Sequence, residues 1–259
     1  MKVALALGSA GARGLAYVPV IEQLVARGHE IVAVAGTSMG SLIGGVYASG
    51  KLPEMKEWAL GLNRVEVARL LDPTWPRHGL MRATGAMNQF RQIIGDVLIE
   101  DLPIPYTAVA ADVINQQEVW IQDGDLINAI RASIAIPVVF TPVRRDGRLL
   151  VDGGVINPVP LEPLAGVACD ITIAVSGHGA PTKPEAKAPT RAPSPLTLGI
   201  LSIDAMETAI YRAKSAANPP DLLIEVPCDA ASFLDLYKGA ELFELGESLA
   251  TAAFDTFGL

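Results

Sequence analysis

Several kinds of site are excluded by what the 259-residue chain has little of. Its two cysteines, Cys169 and Cys228, make no disulfide framework and carry no metal-ligand spacing. Three histidines leave little material for a histidine-rich metal centre. Aromatic residues are 5% of the chain, which leaves few platforms for stacking bases. Lys and Arg total 20 against 28 Asp and Glu, and the resulting net charge of −8 repels phosphate backbones. Nucleic acid is therefore an unexpected partner, and no metal or cofactor is expected.

Long apolar runs are missing too. Met1-Lys2 followed by Val3 to Leu7 mimics a signal peptide, but the run is shorter than the ~7–15 residues such a signal needs. It reads instead as a buried strand running into a glycine loop. Residues 31–50 carry no charge and place Gly36, Gly40 and Gly44 at GxxxG spacing. Gly45, Gly50, Thr37, Ser38, Ser41 and Ser49 make the same stretch a poor spanning helix. A cytoplasmic protein is expected. Apolar residues are half of the chain, enough to bury a sizeable core in one large domain or two small ones.

Short apolar runs alternate with helical patterns. Residues 2–7 and 31–35 read as strands, and 12–27 and 39–49 as helices. This alternation predicts a central, mostly parallel sheet with helices on its faces. Pro53 opens an amphipathic stretch to about Leu71, broken by Asp72-Pro73-Thr74-Trp75-Pro76. Further strands are expected at 106–111, 118–122, 138–143, 148–151, 170–175 and 222–226, and helices at 125–133 and 239–254. An Asp146-Gly147 turn should join two of the strands. From 179 to 195 five prolines bar a helix interior or central strand, so this segment reads as a loop, either a connector or a gate.

Two glycine-rich turns carry the chemistry. The first is Gly8-Ser9-Ala10-Gly11-Ala12-Arg13-Gly14, where backbone N–H groups at a helix start form an anion site. It lacks the Gly-Lys-Ser/Thr of a P-loop, and the next strand ends in Val34-Ala35-Gly36 without the acid that would hold a ribose. The second is Gly36-Thr37-Ser38-Met39-Gly40, a G-x-S-x-G between strand and helix, the context of a nucleophile elbow. Small flanking residues let strand and helix approach, and Ser38 would stand above the positive end of a helix dipole. Donors for an oxyanion would come from the first loop.

A serine needs a base. One arrangement is a triad of Ser38, Asp152 and His178; the other is Asp152 alone, in Val151-Asp152-Gly153-Gly154. A triad elbow of that chain order sits deeper in its sheet than the second strand. His178 also abuts the proline-rich segment and reads as readily as a surface histidine, as do His29 and His78. Asp with an ordinary pKa of about 3.9 is a weak base that could still take the proton as attack proceeds, especially if partly buried, so a lone Asp152 implies only modest turnover.

Together these three motifs resemble the patatin-like phospholipase family, and Arg131-Ala132-Ser133-Ile134-Ala135-Ile136-Pro137 and Phe140-Thr141-Pro142-Val143 are similar to that family's pattern before its Asp-Gly-Gly. The resemblance runs from about Lys2 to Cys169. It implies a three-layer α/β/α patatin-like fold, with residues 1–259 as a single domain. It also implies a Ser–Asp dyad of Ser38 (nucleophile) and Asp152 (base), and an oxyanion hole at Ala10 and Gly11 with Arg13 nearby. Gly8, Gly14, Gly36, Gly40, Gly153 and Gly154 would be the motif glycines. The implied substrates are acyl esters of phospholipids, lysophospholipids or other lipids, met in brief contact with a membrane surface. The family's first loop is a glycine run, and this chain departs from it at Ser9 and Ala10, whose Cβ atoms would be strained wherever the loop needs positive φ and would narrow the oxyanion pocket. That departure makes a weakly active adaptor on the same fold a competing reading, with a nucleotide-binding domain as a third. Between elbow and Asp152, apolar residues from Met55 to Leu71 read mostly as core, with Trp75 and Met81 as candidates for an acyl-chain groove.

Overall fold

A computed structural model describes residues 1–70, 81, 83–183 and 192–259. The 72–76 breaker, Trp75, His78 and the middle of the proline-rich segment lie outside these residues. In chain order the elements are β1 (Lys2–Leu7), α1 (Tyr17–Ala26), β2 (Glu30–Thr37), α2 (Met39–Ala48), α3 (Leu52–Leu60), α4 (Arg64–Leu70), α5 (Thr84–Ile94), β3 (Tyr106–Asp112) and β4 (Gln117–Ile121). They continue with α6 (Leu126–Ser133), β5 (Val143–Arg145), β6 (Arg148–Asp152), β7 (Ile171–Gly179), α7 (Pro195–Ala217), β8 (Leu222–Pro227) and α8 (Gly239–Phe257).

One sheet of eight strands organises the chain. β8, β7, β1, β2 and β3 run parallel side by side, while β4 and β6 pair antiparallel to β3, and β5 to β6. The uninterrupted apolar run of β1 is explained by burial on both faces. Val3, Leu5 and Leu7 belong to the large core with Leu15, Tyr17 and Leu24 on one side of the sheet and Ile43 and Phe254 from α2 and α8. Ala4 and Ala6 face the other side, joined by Ala33, Ala35, Leu164 and Tyr211 of α7. Helices therefore cover both faces, giving an α/β/α architecture. The uncharged 31–50 stretch becomes β2 and α2 inside this core, and no helix among the described residues is long and apolar enough to cross a membrane.

Several elements differ from expectation. Residues 12–27 divide into a 3-10 turn, Gly11–Ala16, and α1. The stretch after Pro53 splits into α3 and α4 at residues 61–63. Of the strand expected at 138–143, only its last residue enters β5, because Ile136 to Phe140 turn back on themselves through Val139 and Phe140 N–H bonds to the Ile136 carbonyl. Two helices were not anticipated, α5 and the 23-residue α7. Pro195 opens α7 behind the Ser194 cap instead of ending a loop, a placement that costs no hydrogen bond at a first helical turn.

The sheet also sets the distance between two distant parts of the chain. β4 lies along one edge of β3 from Ala108 to Asp112. The opposite edge is shared end to end: β2 pairs with it up to Val109, and β6 takes over at Ala110. The register places Thr37 against Val109 and Asp152 against Ala110, so Ser38 and Asp152 meet where the two strands abut.

Candidate active site

Ser38 is the single residue between β2 and α2, with φ 56° and ψ −124°. A side chain in this region is strained, and strain of this kind persists only where the surroundings enforce it. Thr37 Oγ1 donates to Asn157 O at 2.9 Å, and the Ser38 N–H donates to Ser133 Oγ at 2.9 Å. Ser133 Oγ in turn donates to Val109 O at 2.6 Å. From the helix side, the Ser41 N–H and hydroxyl both donate to Ser38 O. The turn is also too tight for side chains beside it: a Cβ at Gly40 would collide with the Leu7 carbonyl, and one at Gly36 with the Gly40 carbonyl. Ser38 is 3% exposed and lines a cavity of about 380 Å³.

Asp152 is buried in the same cavity wall. Its Oδ1 accepts the Gly154 N–H at 2.8 Å, while Oδ2 makes no hydrogen bond of full geometry among the described residues. Burial pushes its pKa up to about 7, against the opposing pull of the Ser38 hydroxyl and the Gly154 N–H. A carboxyl of that pKa is a competent base near neutral pH, where an ordinary aspartate is not.

In the first glycine turn, three N–H groups are spent on structure: Gly8 on Val175 O, Ser9 on Pro158 O and Ala12 on Phe233 O. Those of Ala10 and Gly11 donate to nothing among the described residues, and both residues line the cavity. Positive φ falls on Gly11 alone, at +55°, whereas Ala10 has φ −159°. The strain expected of the Ser9 and Ala10 side chains is therefore absent, because neither position uses the left-handed region. Gly14 packs on Met39, at the start of α2. Arg13 is buried and holds the loop: Nε donates to Ala10 O at 3.1 Å, and its other nitrogens donate to Cys228 O at 2.8 Å and Asp204 Oδ1 at 2.6 Å.

His178 is not a surface residue. It lies inside β7, 2% exposed, because that strand runs four residues beyond the expected one. Its ring nitrogens face Ser9 Oγ at 3.0 Å and Thr208 Oγ1 at 3.2 Å, and it bonds to neither Ser38 nor Asp152 among the described residues. Met81 packs with Ala83, Val139 and Phe140 behind the cavity; the apolar wall itself is Ile136, Ile200, Leu201 and Ile203, with Phe233 and Leu234. Three of these come from the unanticipated α7, as do Asp204 and Glu207. A signal for that helix was present: Ser194-Pro195 is a cap followed by proline, and Leu196, Ile200, Ile203, Glu207 and Tyr211 recur at helical spacing.

Residues 5–165 match the family model for the patatin-like phospholipases. An uncharacterized NTE family protein of Mycobacterium tuberculosis is 37% identical, over 99% of this chain and 92% of its own. Human patatin-like phospholipase domain-containing protein 6 is 32% identical over 180 residues, 67% of this chain but 13% of that much longer one. Among solved structures, VipD from Legionella pneumophila shares the fold with a TM-score of 0.58 at 15% identity, over 98% of this chain and 66% of VipD. The chain belongs to the patatin-like phospholipase family, whose members are lipid acyl hydrolases.

Proposed function

We propose that the protein hydrolyses acyl esters of phospholipids, lysophospholipids or related lipids through an acyl-enzyme on Ser38, with Asp152 as its only base. The observation that carries this reading is the meeting of a strained, buried serine with a buried carboxyl group whose Oδ2 has no hydrogen-bond partner of full geometry among the described residues. In the first step Ser38 Oγ attacks the ester carbonyl and its proton passes to Asp152. The oxyanion is received by the free N–H groups of Ala10 and Gly11, which Arg13 steadies through the Ala10 carbonyl. Collapse breaks the ester C–O bond, and the departing alkoxide takes the proton from Asp152. Water then gives its proton to Asp152 and attacks the acyl-enzyme; collapse of that second intermediate returns the proton to Ser38 and frees the fatty acid. The apolar wall from Ile136 and α7 suits the acyl chain. Exposed Leu196, Leu198 and Met206 on α7 suit brief contact with a lipid surface, and the net charge of −8 disfavours lasting attachment to an anionic one.

The test is covalent labelling with a fluorophosphonate, alongside Ser38→Ala, Asp152→Asn and His178→Ala. Labelling should vanish in the first two variants and persist in the third. A wild-type protein that takes no label would sink the enzyme reading and favour an adaptor. Loss in His178→Ala at pH about 6, with the fold intact and Glu207→Gln still labelled, would favour a triad.

A further inference from the structure

The proposed reaction leaves unused a buried chain of polar groups at its edge, formed by residues beyond the 5–165 family match and by Ser9. Ser9 Oγ and Glu207 Oε2 share a hydrogen bond of 2.6 Å, and Ser9 Oγ lies 3.0 Å from His178 Nε2. His178 Nδ1 lies 3.2 Å from Thr208 Oγ1, and Thr208 donates its hydroxyl to Asp204 O at 2.8 Å. Ser9, His178 and Glu207 are all buried.

The hydrogens of this chain can be counted. Thr208 has one; given to the Asp204 carbonyl, the shorter of its two contacts, it leaves the hydroxyl to accept from a protonated Nδ1 of His178. A neutral imidazole then has a bare Nε2, and Ser9 is the donor in reach. Ser9 stands within donor reach of both His178 and Glu207; with its only proton on His178, it accepts from Glu207, which requires the carboxylic acid. An ionised Glu207 would draw the Ser9 proton to itself and leave Nε2 facing lone pairs. Moving a proton onto the imidazole would also close the chain, but burial and the Arg13 guanidinium both oppose it and hold His178 down to about 4. Burial and the negative charges of Asp152 and Asp204 push Glu207 up to about 8, against the pull of Ser9 and Arg13. The titratable and charged groups around Glu207 are thus Asp152 at the end of β6, Asp204 on its own helix, Arg13 in the 3-10 turn, His178 on β7 and Tyr17 on α1.

Glu207 touches both halves of the candidate site. Its Oε2 holds Ser9, next to Ala10 and Gly11. Its Oε1 presses on Gly154 so closely that a Cβ there would collide with it. We propose that Glu207 is a positioning residue, kept as a neutral acid by Ser9 and His178, which clamps the oxyanion loop against the Asp152 turn and disables the site when it ionises. This rests on the Ser38–Asp152 reading. While Glu207 is neutral, it adds no negative charge beside that of the nascent oxyanion. Once Glu207 ionises, Ser9 turns its proton away from His178 and a second negative charge opposes the first.

The experiment is the second-order rate of fluorophosphonate labelling from pH about 6 to 10, for wild type and Glu207→Gln. The glutamine amide can donate to Ser9 as the acid does, but it cannot ionise. Wild-type labelling should rise with Asp152 ionisation and then fall about tenfold per pH unit on the alkaline side. Glu207→Gln should keep the rise and lose the fall. The same fall in both proteins overturns the proposal while leaving Ser38 in its role. Wild-type protein that takes no label at any pH defeats the Ser38–Asp152 reading, and this proposal with it. Nitrogen-15 spectra of wild-type His178 give a second readout that needs no variant. A neutral ring protonated on Nδ1 near pH 7, with Nε2 shifting through the alkaline limb, is expected. A proton on Nε2 overturns the proposal.

Discussion

Ser38 keeps its positive φ because its N–H and carbonyl are both taken by partners fixed elsewhere in the fold. Ser133 is the residue that connects this turn to β3. In Ser133→Ala, the buried Ser38 N–H and Val109 carbonyl both lose a partner. Chemical denaturation should report a loss of about 1–3 kcal/mol, and labelling of Ser38 should slow as the turn relaxes. Asp152→Asn should move stability the other way. The folded protein binds the Asp152 proton more tightly than the unfolded chain does, so between pH about 4 and 7 it retains a proton that the unfolded state has lost. Stability falls as pH rises through that window, and removing the ionisable group removes the fall. Thermal melts at pH about 8 should therefore show Asp152→Asn more stable than wild type, on the order of 1–3 kcal/mol, with labelling abolished. At pH about 3, where both states hold the proton, the ionisation contribution should vanish. Ser38 and Asp152 were legible in the sequence because each sits in a short motif whose glycines announce a tight turn. Ser9, His178 and Glu207 were not legible as a unit, since their meeting depends on hydrogen bonds across 169 and 198 positions.

At the scale of elements, the alternation of apolar runs and helical patterns was enough to read the parallel core. Strands buried on both faces show no polar alternation, and β1 and β2 have none. Less legible were elements whose reason lies in a neighbour. α7 follows a run of prolines that local propensity reads as loop, and much of its outer surface is apolar, which blurs its periodicity. The 3-10 turn before α1 exists because the Ala12 N–H is drawn to the Phe233 carbonyl, a contact no local pattern encodes. α6 matters to the site because it ends in Ser133. Its cap is Asp125, which accepts the Asn128 N–H at 2.7 Å and pairs with Arg91. Asp125→Ala should cost about 1 kcal/mol in denaturant melts, and Ser38 should remain reactive, because Ser133 lies at the far end of the helix.

The whole molecule carries an excess of eight negative charges, and the first part of α7 exposes an apolar surface beside the cavity mouth. Leu198 is 55% and Met206 57% exposed, and neither lines the cavity. On the proposed reading, Leu198→Ser with Met206→Ser should lower hydrolysis of a long-chain ester in zwitterionic vesicles several-fold, through lost apolar burial. Hydrolysis of a short ester in free solution should be unaffected. Adding anionic lipid to the vesicles should slow wild type and double variant alike, and raising the salt should relieve it. The shared edge of β3 has a consequence for the order in which a growing chain acquires chemistry. On the proposed reading, Ser38 leaves the ribosome early, whereas its carboxylate partner arrives on β6 and Glu207 later still. A nascent chain that has reached only β4 would hold the serine without the proton acceptor proposed for it. Reactivity toward lipid esters would thus come on as a late event of folding, and truncated products would be chemically silent.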